Sequence, residues 1–192
     1  MPKNNRNDQA ATLGSDQFDA IVTELSPVIR AIVQTARYTA ARITEVLSLK
    51  WDNVFEATVV IPKAITKKKM ATRSIPMTPQ LVRELQAWRA AWETHYKGEP
   101  SKSDHLFPGR QDMTKHMTRR NVDHALRLAC DKLDIRGVST HSCRRSALTS
   151  MSDRGTPLRV IQSISGHSSL EMLQRYLDVK DEQKSAAVLA IG

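Results

Sequence analysis

His141-Ser142-Cys143-Arg144, Ser165-Gly166-His167-Ser168-Ser169 and Arg175-Tyr176 are the stretch that decides how this chain is read. Two histidines, an arginine and a late tyrosine recur at short, helix-compatible intervals. His141 stands three residues before Arg144, so on a helix the two share a face. His167 follows a glycine, where the chain turns and an imidazole can meet a phosphate oxygen. Tyr176 closes a helix expected to open near Ser168-Ser169. Far upstream, Thr39-Ala40-Ala41-Arg42-Ile43-Thr44-Glu45 supplies a second arginine.

These residue types suit cleavage of a DNA backbone without a metal. That reaction needs a nucleophile, charge stabilisation on the non-bridging oxygens and a proton for the leaving 5′ oxygen. Arginine suits the second task because its planar fork donates two parallel hydrogen bonds and stays charged at any working pH. Arg42 and Arg144, from different segments, are the candidate clamp. His141 is placed to assist the attacking hydroxyl or to orient the phosphate, and His167 to bind a phosphate oxygen. Tyr176 is the candidate nucleophile; a phenol with an ordinary pKa near ~10 needs nearby positive charge to attack. Taken singly, each group reads as an ordinary surface ion pair, a partly buried polar residue or a helix anchor. Their joint spacing carries the chemical reading. Tyr38 and Tyr96 read as packing residues.

The period of the chain changes in the middle. Helical spacing covers Phe18, Ile21, Val22 and Leu25, then Ile29, Ile32, Val33 and Ala36 after Pro27. A third helix is expected from about Arg42 to Leu49. Ala57–Ile61 and Arg73–Met77 read as short strands joined by a basic hairpin tip, Lys63 to Met70. Lys67 in that tip is a candidate to reach the minor groove and protonate the leaving oxygen. Lys68, Lys69 and Arg73 are read as nonspecific phosphate contacts, and Thr66, Arg119 and Arg120 as further DNA-binding candidates. The same loop also reads as a plain solvated basic turn.

Thr78-Pro79 is an N-cap and first helical position, followed by Leu81, Leu85, Trp88 and Trp92 on one face. The tryptophans read as core. Val122, Leu126, Ala129 and Leu133 mark another helix. Helices over about His141–Ser152, Thr156–Ile164 and Ser169–Leu177 complete the domain, with a last short one within Asp181–Ile191. The fold expected is mainly α with a small antiparallel β-sheet (α+β): a disordered polar leader over 1–14, one domain over 15–179 and a tail over 180–192.

Composition agrees. The 192 residues are 40% hydrophobic and 26% charged, with net charge +9 and pI about 9.8, a balance that suits a polyanionic partner such as nucleic acid. Cys130 and Cys143, the two cysteines, make no disulfide framework, so reduced thiols in a cytoplasmic setting are expected. No apolar run approaches the length of a membrane span, and the N-terminus lacks a signal-peptide core.

As a set, these motifs resemble the catalytic signature of the tyrosine recombinase (phage integrase) family, over roughly Ser15–Val179. The resemblance implies a tyrosine recombinase catalytic-domain-like fold. Thr39–Glu45 is similar to the first arginine box, with Arg42 catalytic and Glu45 its supporting acid. Lys67 resembles the hairpin lysine, His141 and Arg144 the His-x-x-Arg box, His167 the histidine-or-tryptophan position and Tyr176 the nucleophile. It implies attack by Tyr176 to give a 3′-phosphotyrosyl bond and a free 5′-hydroxyl, then reversal by a 5′-hydroxyl from a partner duplex, with no cofactor, metal or ATP. The partners implied are double-stranded DNA and further copies of the chain, as a tetramer on two duplexes, with Ala186–Ile191 docking on a neighbour. Two departures stand out. Ala40 occupies a position where the family usually has glycine. Only a polar leader precedes the first helix, where relatives usually carry an N-terminal DNA-clamping domain; a catalytic fragment or a naturally short protein both fit.

Two other activities fit the same residues: religation to the original strand, as in a type IB topoisomerase, and DNA binding without turnover by a regulator. The full set of six groups argues against the regulator. A metal site from Cys130, His141, Cys143 and His167 is rejected, since no Cys-x-x-Cys or His-x-x-x-His clip exists to pre-organise an ion.

Overall fold

A computed structural model of the chain describes residues 10–66, 71–174, 177 and 181–189. Helix α1 (Ser15–Thr23) buries Phe18, Ile21 and Val22, the predicted stripe. Helix α2 (Pro27–Thr39) starts with Pro27 in its first turn and stops where Ala40 turns left-handed, at φ 48° and ψ 25°. Its fully buried Ala31, Ile32 and Val33 make it the central strut of the domain, packed against α4 (Pro79–Tyr96) and α6 (Thr140–Asp153). The short α3 (Ile43–Leu47) follows at once.

Strands β1 (Thr58–Ile61) and β2 (Arg73–Pro76) pair antiparallel, with Val59 opposite Ile75 and Ile61 opposite Arg73. Side chains alternate across a strand, so Val59, Ile61, Arg73 and Ile75 share one face, and all four are buried. An arginine therefore points into the protein beside three aliphatic residues.

Thr78 caps α4 by accepting from the Leu81 N–H at 3.3 Å. The expected stripe Leu81, Leu85, Trp88 and Trp92 is buried. Trp88 donates from Nε1 to the Leu106 carbonyl at 2.8 Å, and Trp92 stacks edge-on to Trp51 and Trp88. Helix α5 (Arg119–Lys132) buries Val122, Leu126, Ala129 and Cys130. Helices α7 (Leu158–Ser165), α8 (Leu170–Gln174) and α9 (Asp181–Leu189) finish the chain.

Residues 11–14, assigned to the leader by the sequence, are docked on the domain. Ala11 donates to the Gly137 carbonyl at 2.9 Å, the Leu13 N–H donates to Ser146 Oγ at 2.7 Å, and Leu13 is 6% exposed. With the Arg145 Nε donating to the Thr12 hydroxyl at 3.1 Å, these contacts dock residues 11–14 on α6 and the turn before it. No helix among the described residues is long and apolar enough to cross a membrane.

Two apolar clusters build the interior. The large one joins α1 to α5 and the hairpin. A small one, Ala40, Ala147, Leu148, Ile161 and Leu173, lies beneath α6, α7 and α8. Ala40 belongs to the small cluster and Ala41 to the large one, so Arg42 follows directly on the seam between them.

Candidate active site

Arg42 is the N-cap residue of α3, in extended backbone immediately after the left-handed turn at Ala40. Its backbone N–H donates to Glu45 Oε2 at 3.0 Å and its Nη1 to Glu45 Oε1 at 3.1 Å. An acid three residues into a helix closes back on the cap in this way. Glu45 is 1% exposed. Burial alone would push its carboxyl up, but Arg73, the Arg42 N–H and the Arg42 charge outweigh it and hold Glu45 below the usual carboxylate value. Glu45 is thus a buried anion that fixes the angle at which Arg42 leaves the helix.

Arg73 completes that anion's coordination. Its Nη2 donates to Glu45 Oε2 at 2.6 Å and its Nη1 to the Ile164 carbonyl at 2.7 Å. The expectation of Arg73 as a nonspecific phosphate contact is corrected here. Its strand parity sends it inward, and its side chain is 6% exposed.

Arg144 lies in the second turn of α6, 3% exposed. It donates from Nη1 to the Ala40 carbonyl and from Nη2 to the Ser165 carbonyl at 2.9 Å. Those carbonyls sit at the C-terminal ends of α2 and α7, where helices leave acceptors unpaired and carry partial negative charge. One guanidinium therefore ties two helix ends together.

Gly166 ends α7 at φ 67°. A side chain there would be strained, and its Cβ would lie 2.9 Å from Arg73 Nε. His167 follows, 5% exposed. Its Nδ1 lies 2.8 Å from Ser165 Oγ and its Nε2 lies 3.2 Å from Arg144 Nη2. A guanidinium only donates, so a neutral ring protonated on Nδ1 fits both contacts. Burial, then the charges of Arg144, Arg42 and Arg73, push the imidazole down to about 4.

His141 sits at the opening of α6 and keeps an exposed surface. Desolvation of its ring, then Arg119 and Arg144, lower its pKa, while Asp123 opposes them. The field of Arg42 reaches both His141 and His167. Arg42, His141, Arg144 and His167, predicted from three separate motifs, are therefore one electrostatic unit. Arg42, Glu45, Thr66, Arg73, Gln162 and His167 line a cleft of about 310 Å³.

Of the other candidates, Thr66 holds the hairpin side of the cleft, its hydroxyl donating to the Lys63 carbonyl at 2.9 Å. Arg119 and Arg120 are exposed at the start of α5, Arg119 paired with Asp123 at 3.1 Å. Lys67, Lys68, Lys69 and Tyr176 lie outside the described residues. Cys130 and Cys143 are buried, which pushes their thiols up to about 11 and about 12. Sequence reasoning missed Ser165, which positions the His167 ring, and Gln162, whose Nε2 donates to the His167 carbonyl at 3.1 Å. It also missed the inward role of Arg73, although Arg73 and Ile75 share parity in the sequence.

Helices packed around a small antiparallel hairpin are also the fold of solved tyrosine recombinases. The XerA recombinase superposes with a TM-score of 0.76 at 22% identity, over 94% of this chain and 64% of that one. The catalytic domain of bacteriophage HP1 integrase gives 0.64 at 21% identity, over 88% and 87%. The chain belongs to the phage integrase family, whose family model matches residues 11–183. Among curated relatives, tyrosine recombinase XerD of Vibrio vulnificus (strain YJ016) is 28% identical over 179 residues, covering 89% of this chain and 57% of its own. Tyrosine recombinase XerC of Bifidobacterium longum (strain DJO10A) is 29% identical over 185 residues, covering 91% and 50%. The chain thus spans about half the length of these relatives.

Proposed function

We propose that this chain is the catalytic part of a site-specific DNA recombinase that cuts and rejoins strands through a 3′-phosphotyrosyl intermediate. The observation that carries the proposal is that Arg42 and His167 line one cleft and Arg144 is hydrogen-bonded to His167, with Glu45 and two helix ends holding the three in place. Such a pre-set group of donors stabilises charge that develops in a transition state without having to reorganise.

In this reading Arg42 and Arg144 bind the non-bridging oxygens of the scissile phosphate. His167, neutral at pH 7, orients the Arg144 guanidinium through its Nε2 and adds no charge, and His141 assists the phenol proton. The Tyr176 oxygen bonds to phosphorus, the P–O5′ bond breaks, and Lys67 gives a proton to the departing 5′ oxygen. A 5′-hydroxyl of a second duplex then attacks the phosphotyrosine and releases Tyr176. The bond count is conserved, so neither ATP nor metal is required.

The net charge of +9 and the exposed Arg119 and Arg120 support double-stranded DNA as the partner, met in the cytoplasm. Among similar folds, a XerH site-specific recombinase is described as bound to difH substrate in a pre-cleavage complex. Assembly on two duplexes as a tetramer accords with α9, whose Val188 and Leu189 are 68% and 79% exposed and available to a neighbouring copy.

A suicide duplex incubated with the protein in chelator tests the proposal. A covalent protein–DNA adduct that resists denaturant is expected. Binding without an adduct would favour a regulator, and relaxation of plasmid without site preference would favour a topoisomerase-like activity.

A further inference from the structure

Arg73 does two jobs that neither a phosphate contact nor a simple ion pair requires. Its fork joins Glu45 on α3 to the Ile164 carbonyl at the end of α7. Arg144 holds the next carbonyl of that helix end, Ser165. The last turn before His167 is therefore gripped by two arginines, one on α6 and one on the hairpin. Gly166 lies against the Arg73 guanidinium so closely that a Cβ would be 3.0 Å or less from its Cδ, Nε and Cζ. The side chain is buried on the inner face of β2, opposite Ile61, and both ends of its fork are engaged by protein acceptors. An aliphatic residue would suit that face better on packing grounds alone, since burying a charge costs several kcal/mol unless it is paired.

We infer that Arg73 is a positioning residue for strand cleavage, the strut that registers the hairpin, Arg42 and the His167 turn against one another. It acts through Glu45 on Arg42 and through the Ile164 carbonyl on His167, and touches no substrate. The inference rests on the recombinase reading above. Lysine cannot replace it, because one ammonium on a flexible stem does not hold two acceptors in a fixed plane.

The test compares wild type with Arg73→Lys and Arg73→Gln on a suicide duplex at saturating protein, alongside DNA affinity and thermal unfolding. Arg73→Lys is expected to fold and to bind DNA within about twofold of wild type, while adduct formation slows at least about tenfold, as a small misplacement of reacting groups demands. Wild-type cleavage rates in Arg73→Lys would overturn the inference. So would affinity falling in step with cleavage with a weaker salt dependence, which marks a phosphate contact. If both variants fail to fold, Arg73 is structural only and the inference falls. A wild-type chain that forms no adduct contradicts the recombinase reading instead. The ring titration of His167, followed by NMR without DNA, then decides the matter. It should move upward in Arg73→Gln as one cation leaves and its Glu45 and Ile164 contacts are lost, and an unmoved titration overturns the inference.

Discussion

Arg144 donates a hydrogen bond to the carbonyl of Ala40, 104 positions earlier in the chain and two residues before Arg42. Two catalytic candidates from opposite ends of the domain are thereby spaced by one backbone unit. The arrangement depends on Ala40 holding a left-handed conformation that L-residues other than glycine disfavour by roughly 1–2 kcal/mol.

Substitutions at Ala40 should separate this strain from packing. In Ala40→Gly the strain is relieved, but a buried methyl worth about 0.8 kcal/mol and backbone order worth about 0.5–1 kcal/mol are lost. The expected change is below about 1 kcal/mol, with cleavage retained. Ala40→Val adds a β-branched side chain to a fully buried left-handed position and should destabilise by at least about 2 kcal/mol. Denaturant unfolding measures both; a neutral Ala40→Val would contradict the left-handed turn.

His167 should impose an acid limb on stability. Its folded pKa is about 4, against about 6.5 in an unfolded chain. As pH falls through that window the unfolded chain takes up a proton that the folded chain refuses. Stability is therefore full above about 6.5 and falls toward pH 4, by up to about 3 kcal/mol. Denaturation at pH 7, 5.5 and 4 should show the loss, and His167→Gln should flatten it. A flat wild-type profile would contradict a buried neutral imidazole. Glu45, lowered rather than raised, loses its contribution as pH falls below the usual carboxylate range.

Arg144→Lys should separate binding from chemistry. A lysine keeps the charge but cannot bridge the Ala40 and Ser165 carbonyls as the fork does. One buried carbonyl left without a donor costs about 1–3 kcal/mol of stability. Cleavage should fall by about a hundredfold or more, the scale of losing one transition-state donor, while nonspecific DNA affinity stays within about threefold because the phosphate-facing surface keeps its charge. Cleavage measured at saturating protein, set beside filter-binding affinity, checks this; unchanged cleavage removes Arg144 from the clamp.

Much of this was legible in the sequence because it is written in periods. The stripe from Leu81 to Trp92 and the pair Thr78-Pro79 predict α4, and the switch to period two predicts the hairpin. The spacing of His141 and Arg144 places both on α6. What stayed hidden depends on long-range contact. Nothing local says that Arg144 meets the ends of α2 and α7, or that Glu45 holds two arginines instead of one. The hairpin lysines close by in sequence suggest an outward Arg73, whereas its partner across the sheet is Ile61 and its ion-pair partner is the buried Glu45 on α3. Docking of Leu13 against α6 was hidden for the same reason, a single apolar residue in a polar stretch.

The central claim is that Tyr176 becomes covalently joined to a DNA 3′ phosphate at the cleft lined by Arg42 and His167, beside Arg144. The most direct measurement is mass spectrometry of the peptide–nucleotide adduct recovered from a suicide duplex reacted in chelator. The account predicts a phosphotyrosyl link at Tyr176, absent from Tyr176→Phe while that variant unfolds at the wild-type temperature. An adduct mapped to any other residue, or one that persists in Tyr176→Phe, would contradict it.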